Sequence, residues 1–286
     1  METPQKITVE WLWSAFMREK EGKVIVRRMR SEWKALSETF GALLPHQITV
    51  AHCRQYVAER RLKGLKQGTI WTELGDLQIV LNWAAKRDHI AKPPRLERPS
   101  KPSPRDRYLT RDEAKLLIAS ATCPHVKLAI ILMLSTAARV GAILELTWKR
   151  VDFVRGVVVL RVDEEGTDGN VRRKGRAIVP MTSSARAALL EAHKGALSDH
   201  VIEYDAEPVK SIKRSFAATV ERSGLKDVTP HVLRHTAAVW MAEAGRPMAE
   251  IAQYLGHEDS RITERVYARF SPDHLRQTAS ALELDL

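Results

Sequence analysis

Residues 229–270 read TPHVLRHTAAVWMAEAGRPMAEIAQYLGHEDSRITERVYARF, a pattern of helices separated by short turns. Thr229 offers a capping hydroxyl and Pro230 fits the first helical turn, so a helix begins there with His231 and Arg234 three apart on one face, near its positive end. The apolar IAQYL stops at Gly256, which places His257 at the exit of a short helix. HEDSRIT leads into the next, where Tyr267 is expected to share a stripe with Ile262 and is flanked by Arg265 and Arg269. Taken singly, each of these residues is an ordinary pair, turn or core position. Together, two cations and two imidazoles near one phenol are what is needed to hold a phosphodiester while an oxygen nucleophile attacks phosphorus. The pattern points to phosphoryl transfer on nucleic acid. His231 and His235 have the i, i+4 spacing of a helical metal pair, but the Glu of His-Glu-x-x-His is missing and Arg234 would repel a cation, so no metal site is expected.

Working upstream, Thr110 followed by Glu113 forms a capping box, and HVKLAIILMLSTAARVGAILEL (125–146) is apolar almost all round, as core helices are. GVVVLRV (156–162) and RAIVPM (176–181) flank the polar DEEGTDGNV and predict a β-hairpin. Helical patterning resumes at Thr182. Downstream, Ser271-Pro272 can open a last helix whose Leu275, Ala279, Leu282 and Leu286 form an apolar stripe, to be packed on its own core or on a neighbouring protomer.

Before residue 92, apolar residues recur at helical intervals: Val9, Leu12, Trp13 and Phe16; Val50, Cys53, Val57 and Leu62; Ile70, Leu74, Leu77, Leu81 and Ala84. This predicts a small all-helical domain over 1–91. Thr8 can cap its first helix, and Gly64 and Gly68 break the chain between the later two, with Lys63, Lys66 and Gln67 near a helix opened by Thr69, where backbone amides favour phosphate. Residues 92–107, rich in proline and carrying Lys92, Arg95, Lys101, Arg105 and Arg107, read as an extended basic linker, suited either to closing around a duplex or to mere spacing.

At 286 residues the chain can form two domains with full cores. Its formal net charge of +11 is concentrated towards the front, with residues 1–91 contributing about +5, and implies a polyanionic partner. No apolar run is long enough for a membrane span, METPQKITVE lacks a signal sequence, and two distant cysteines suggest neither disulfides nor zinc, so a cytoplasmic, nucleoid-associated protein is expected.

The ordered blocks STAARVGAILELTW, RRKGRAIVPM, TPHVLRHTAAVWMAEAG, IAQYLGH and RVYARF resemble the tyrosine recombinases, also called phage integrases. The resemblance spans 108–270, and the front domain is similar to that family's core-binding domain. It implies a mainly α protein with a small β-hairpin or sheet: a helical core-binding domain, the linker, and a mixed α+β catalytic domain over 108–286. By the same resemblance Arg139 and Arg234 clamp the scissile phosphate, His231 acts in proton transfer, His257 hydrogen-bonds the phosphate, and Tyr267 is the nucleophile. The hairpin acid maps to Lys174, with Arg172 and Arg173 adjacent and counted among the DNA-contacting candidates. Where the family carries an acid three positions after its first Arg, this chain has Ala142.

The implied activity is site-specific recombination through a 3′-phosphotyrosine, without metal, nucleotide or other cofactor. The implied partners are double-stranded DNA sites, further copies of the chain in a tetramer, and accessory DNA-bending proteins; no membrane is involved. The alternatives are a type IB topoisomerase-like enzyme and an inactive DNA-binding regulator of the same fold. Because the chain opens on core-binding helices, the arm-type domain of lambda-like integrases is expected to be absent.

Overall fold

The computed structural model describes residues 6–102, 106–160, 177–257 and 259–272, together with 279 and 282. Arg105, Arg172, Arg173 and Lys174, and most of the tail from 273 onward, lie outside the described residues. The chain divides into two compact units, Met1–Arg105 and Asp106–Leu286.

The first unit is helical: α1 (Val9–Glu19), α2 (Val24–Leu36), α3 (Val50–Leu62) and α4 (Gln67–Lys86), with a π-helical turn over Ser37–Gly41. Thr8 accepts a hydrogen bond from the Trp11 amide and caps α1, whose Val9, Leu12, Trp13 and Phe16 are all buried. They meet Ile70, Leu74, Leu77 and Leu81 of α4 in one core. Helix α2 has no counterpart in the sequence expectations, because its run of Arg residues masks the buried Val26, Met29 and Leu36.

Two expectations need correcting. On α3, Cys53 is buried with Tyr56, but Leu62 is 89% exposed. Val50 is also exposed, at 47%, and at about 100° per residue Leu62 lies roughly half a turn round the helix from the buried Cys53, on the opposite face. Helix α4 begins at Gln67 with Lys66 as its N-cap, so Gly68 lies inside the helix and Thr69 does not open it.

Residues 92–102 form no helix or strand, yet they are not a free spacer. Leu96 is buried in the first unit's core. The Leu96 amide donates to Gln78 (2.9 Å), the Gln67 amide donates to Ser100, and Arg98 donates to the Trp71 carbonyl (2.6 Å) while stacking on its ring. Gly75 makes room for this: a Cβ there would lie 2.6 Å from Arg98 Nη2.

Beneath that strap α4 buries two carboxylates. Glu73 accepts from Tyr56 (2.8 Å) and pairs with Arg60, and Asp76 is held by both ends of the Arg28 fork. Glu32 joins them. Burial first, and then its hydrogen bond and proximity to Asp76, push its carboxyl up to about 8.

The second unit contains α5 (Arg111–Ala119), α6 (Pro124–Thr136), α7 (Val140–Leu144), β1 (Val151–Asp152), β2 (Val157–Val159), β3 (Ile178–Pro180), α8 (Ser183–Lys194), β4 (Glu203–Tyr204), β5 (Glu207–Pro208), α9 (Lys213–Ser223), α10 (Pro230–Glu243), α11 (Met248–Leu255) and α12 (Ser260–Tyr267). Thr110 and Glu113 satisfy each other's amides as a capping box at α5. Strands β1, β2 and β3 form an antiparallel sheet in that order, with Val158 opposite Val179. Helix α6 is the centre of this unit. Its Val126, Leu128, Ala129, Ile130, Leu132 and Met133 are buried, which explains its all-round apolar sequence.

Candidate active site

Helix α6 ends on Ala137, whose φ of 51° is left-handed. For a residue with a Cβ this costs about 1–2 kcal/mol. The turn aims the Ala137 carbonyl inward and leaves Arg139 exposed at the N-cap of α7. Arg139 makes no ion pair among the described residues. Ala142 is buried on α7, one turn further on.

Arg234 reaches back to that turn. Capped by Thr229 and opened by Pro230, α10 carries Arg234 on its buried face, only 5% exposed. Its Nη1 donates to the Ala137 carbonyl (2.7 Å), and its Nη2 donates to the Leu255 carbonyl (2.8 Å) and to His257 Nε2 (3.1 Å). Both carbonyls belong to helix C-terminal ends, where partial negative charge favours a cation. A guanidinium has five N–H donors, so these three bonds fix the plane of Arg234 and leave two for an anion. Burial, then the charge of Arg139, lower its pKa to about 10, and it remains charged at neutral pH.

His257 follows Gly256, the left-handed C-cap of α11. Since arginine can only donate, His257 Nε2 must accept, and Nδ1 must carry the proton that bonds to Thr263 Oγ1 (2.7 Å). The ring is thus neutral. Burial, followed by Arg234 and Arg139, holds its pKa down to about 4. His231 is exposed on the first turn of α10, and partial desolvation with the same two arginines lowers its pKa as well. Arg139, Arg234, His231 and His257 therefore share one electrostatic neighbourhood, which Tyr267 also joins through Arg234, and Arg234 and His257 touch.

Tyr267 is placed differently. It closes α12, is 7% exposed, and its hydroxyl lies 3.3 Å from His235 Nδ1. Its ring packs beside His235 at 5.3 Å between centroids. Burial raises the phenol's pKa, against a smaller opposing effect of Arg234. Ile262 does not share its stripe: Ile262 is exposed, and the buried partner one turn earlier is Thr263. His231 and His235 also diverge, the first to the surface and the second to Tyr267, so the i, i+4 pair does not converge on a cation.

Sequence reasoning weighed His235 only as a metal partner of His231 and missed Thr263, whose one signal was its four-residue spacing from Tyr267. Among the basic candidates, Arg107 is engaged internally, paired with Glu113 and bonded to the Lys226 carbonyl. Lys63 faces Glu38 at 3.4 Å, Lys101 lies over Trp71, and Lys92 and Arg95 are exposed. No helix among the described residues is long and apolar enough to cross a membrane.

The chain is 28% identical to the tyrosine recombinase XerC of Xanthomonas axonopodis pv. citri over 248 residues, covering 82% of this chain and 78% of that protein. It is 24% identical to the integrase of Salmonella phage P22, over 91% of this chain and 66% of that one. Its fold is similar to the Tn1549 transposon integrase solved in complex with a circular intermediate DNA (TM-score 0.80, 19% identity, 97% of this chain and 100% of that one). A lambda integrase dimer bound to a COC′ core site is also similar (TM-score 0.72, 19% identity, 90% and 97%). The model described as the phage integrase family matches residues 107–274, the stretch that contains Arg139, His231, Arg234, His257 and Tyr267, and the chain therefore belongs to that family and is a tyrosine recombinase, an enzyme that cleaves and rejoins DNA strands.

Proposed function

We propose that Tyr267 attacks a DNA phosphodiester held between Arg139 and Arg234. The phenolic oxygen bonds to phosphorus, the bond to the 5′ oxygen breaks, and the strand end is retained as a 3′-phosphotyrosine. His231, neutral at neutral pH, takes the phenol proton, and Lys174 supplies a proton to the departing 5′ oxygen. A hydroxyl from the partner strand reverses the step. The observation that carries this reading is the tethered Arg234, which has two free N–H donors, sits against His257 and lies within electrostatic reach of Arg139 and His231. Fixed guanidinium charge performs there the stabilisation that a metal ion performs elsewhere. An arriving phosphate favours the protonated imidazole, so His257 then gains a proton on Nε2, which gives up its bond from Arg234 and donates to the phosphate.

In the same reading residues 1–91 are the core-binding domain and 108–286 the catalytic domain. Lys63, Lys66, Gln67, Lys92, Arg95 and Lys101 meet the DNA backbone, and the protein works as a tetramer on paired sites at the nucleoid. DNA in the solved Tn1549 and lambda integrases supports the partner. For assembly, the support is an open apolar groove of roughly 890 Å³ lined by Ile118, Leu134, Trp240, Met241 and Tyr254, together with the apolar stripe of the tail.

The test is incubation with end-labelled, nicked recombination-site DNA in excess EDTA. Wild type is expected to form a covalent adduct that Tyr267→Phe does not. An adduct that survives in Tyr267→Phe, or none from wild type despite tight binding, overturns the assignment.

A further inference from the structure

We infer that His235 is a latch for Tyr267, a positioning residue that holds the phenol withdrawn until the active site is filled. The inference rests on the reading of Tyr267 as nucleophile. The Tyr267 hydroxyl has His235 Nδ1 as its hydrogen-bond partner at 3.3 Å, and no bond joins it to Arg234, His231 or His257 among the described residues. A buried O–H must find an acceptor, so the phenol donates and Nδ1 accepts. The remaining ring hydrogen is then on Nε2, a buried atom with no partner among the described residues. At 3.3 Å between neutral groups, such a hydrogen bond is worth about 1 kcal/mol net, enough to bias the resting position of the phenol and little enough to release.

The surroundings fit a release point. His235 faces Tyr267 and Phe270 from α12 and the turn that follows. Asp106 and Arg269 pair beside it (2.5 Å), tying that turn to the start of the second unit, and His231 lies one turn back on its own helix. Burial and His231 keep the His235 imidazole pKa below the ordinary value, which leaves Nδ1 free to accept. Swinging Tyr267 toward a phosphate between the arginines breaks this hydrogen bond and the ring contact with His235, and it draws the ring out of the apolar cluster that includes Ala137, Val239 and Ile251.

The test compares wild type with His235→Phe, which keeps the ring packing but removes the acceptor, and with His235→Asn, which keeps an oxygen near the position of Nδ1. Nitration of tyrosines by tetranitromethane in the DNA-free protein, read peptide by peptide, reports phenol release independently of catalysis. Tyr267 is expected to react roughly two- to tenfold faster in His235→Phe, the factor that one neutral hydrogen bond represents. Tyr254, bonded to the Ser135 carbonyl, should be unchanged, and His235→Asn should behave as wild type. Adduct formation on nicked DNA at saturating protein should accelerate by a similar factor, with DNA affinity unchanged.

Unchanged Tyr267 reactivity, a rise shared with Tyr254, or slower adduct formation on bound DNA would each overturn the latch. If His235→Phe does not fold, wild type labelled at the tyrosine Cζ carries the test. The Tyr267 resonance, assigned with Tyr267→Phe, should follow the His235 titration while other tyrosines do not; a flat Tyr267 response overturns it. Should Tyr267→Phe still form an adduct, the nucleophile assignment fails, and nitration still reports whether His235 holds the phenol.

Discussion

Thr263 shows how much of the site depends on residues with no chemistry of their own. It is fully buried, and its hydroxyl accepts the Nδ1 proton of His257, so it fixes which nitrogen of the imidazole faces Arg234. In Thr263→Val that proton has no acceptor, a loss of about 1–3 kcal/mol for a buried donor. Adduct formation on nicked DNA should slow by roughly tenfold or more at unchanged DNA affinity, and Thr263→Ser should restore it. Equal rates in Val and wild type would sink the orienting role. The sequence made the types of chemistry legible, since two Arg, two His and one Tyr in ordered blocks are visible without coordinates. It could not reveal that Tyr267 turns to His235 or that His257 leans on Thr263. The first contact is set by the way α10 and α12 pack and the second by the way α11 and α12 pack, and no local spacing encodes either.

At the scale of elements, the legible parts were those whose cause is local. The Thr8 cap, the Thr110–Glu113 box and the Thr229-Pro230 start are all present where their side chains predict them, and the two Val- and Ile-rich runs that flank the polar loop pair as strands. Helix α2 was not legible, because its exposed arginines outnumber its buried apolar residues. Neither were β1, β4 and β5, two-residue strands that depend wholly on their partners.

Helix α2 also supplies Arg28 and Glu32 to the carboxylates of α4 and makes the first unit sensitive to pH. The Glu32 pKa is raised from 4.5 to about 8 in the fold, so its stabilisation is fully present below about pH 4.5 and is lost as pH rises through 8. An amide keeps the donor to Asp76 without the charge. The melting temperature of Glu32→Gln should therefore exceed that of wild type increasingly from pH 5 to 9, by roughly 5 °C at the upper end. Parallel curves for the two proteins would show that folding does not raise the Glu32 pKa.

The whole molecule joins two units that each contain a buried core, one built on α1 and α4 and the other on α6 and α10. Each thus has a core of its own, the requirement for folding alone. Basic charge is heavier at the front, while the residues that resemble catalytic ones lie in the second unit, so affinity and chemistry are expected to be separable. When two weak DNA-binding surfaces share one chain, the second engagement is intramolecular, and the joint affinity exceeds either alone by roughly 10²–10⁴. A fragment of residues 106–286 should therefore still form the Tyr267 adduct, but at DNA or protein concentrations higher by about that factor. Supplying residues 1–105 as a separate chain should not restore the original affinity at equal concentration. Salt gives an independent check, because each phosphate contact contributes nearly one unit to the slope of log affinity against log salt. Removing a unit that meets several phosphates must flatten that slope. A fragment that binds as tightly as the full chain, with the same slope, would mean that the front unit's positive charge faces solvent, and that specificity and grip both reside in the unit that carries Tyr267.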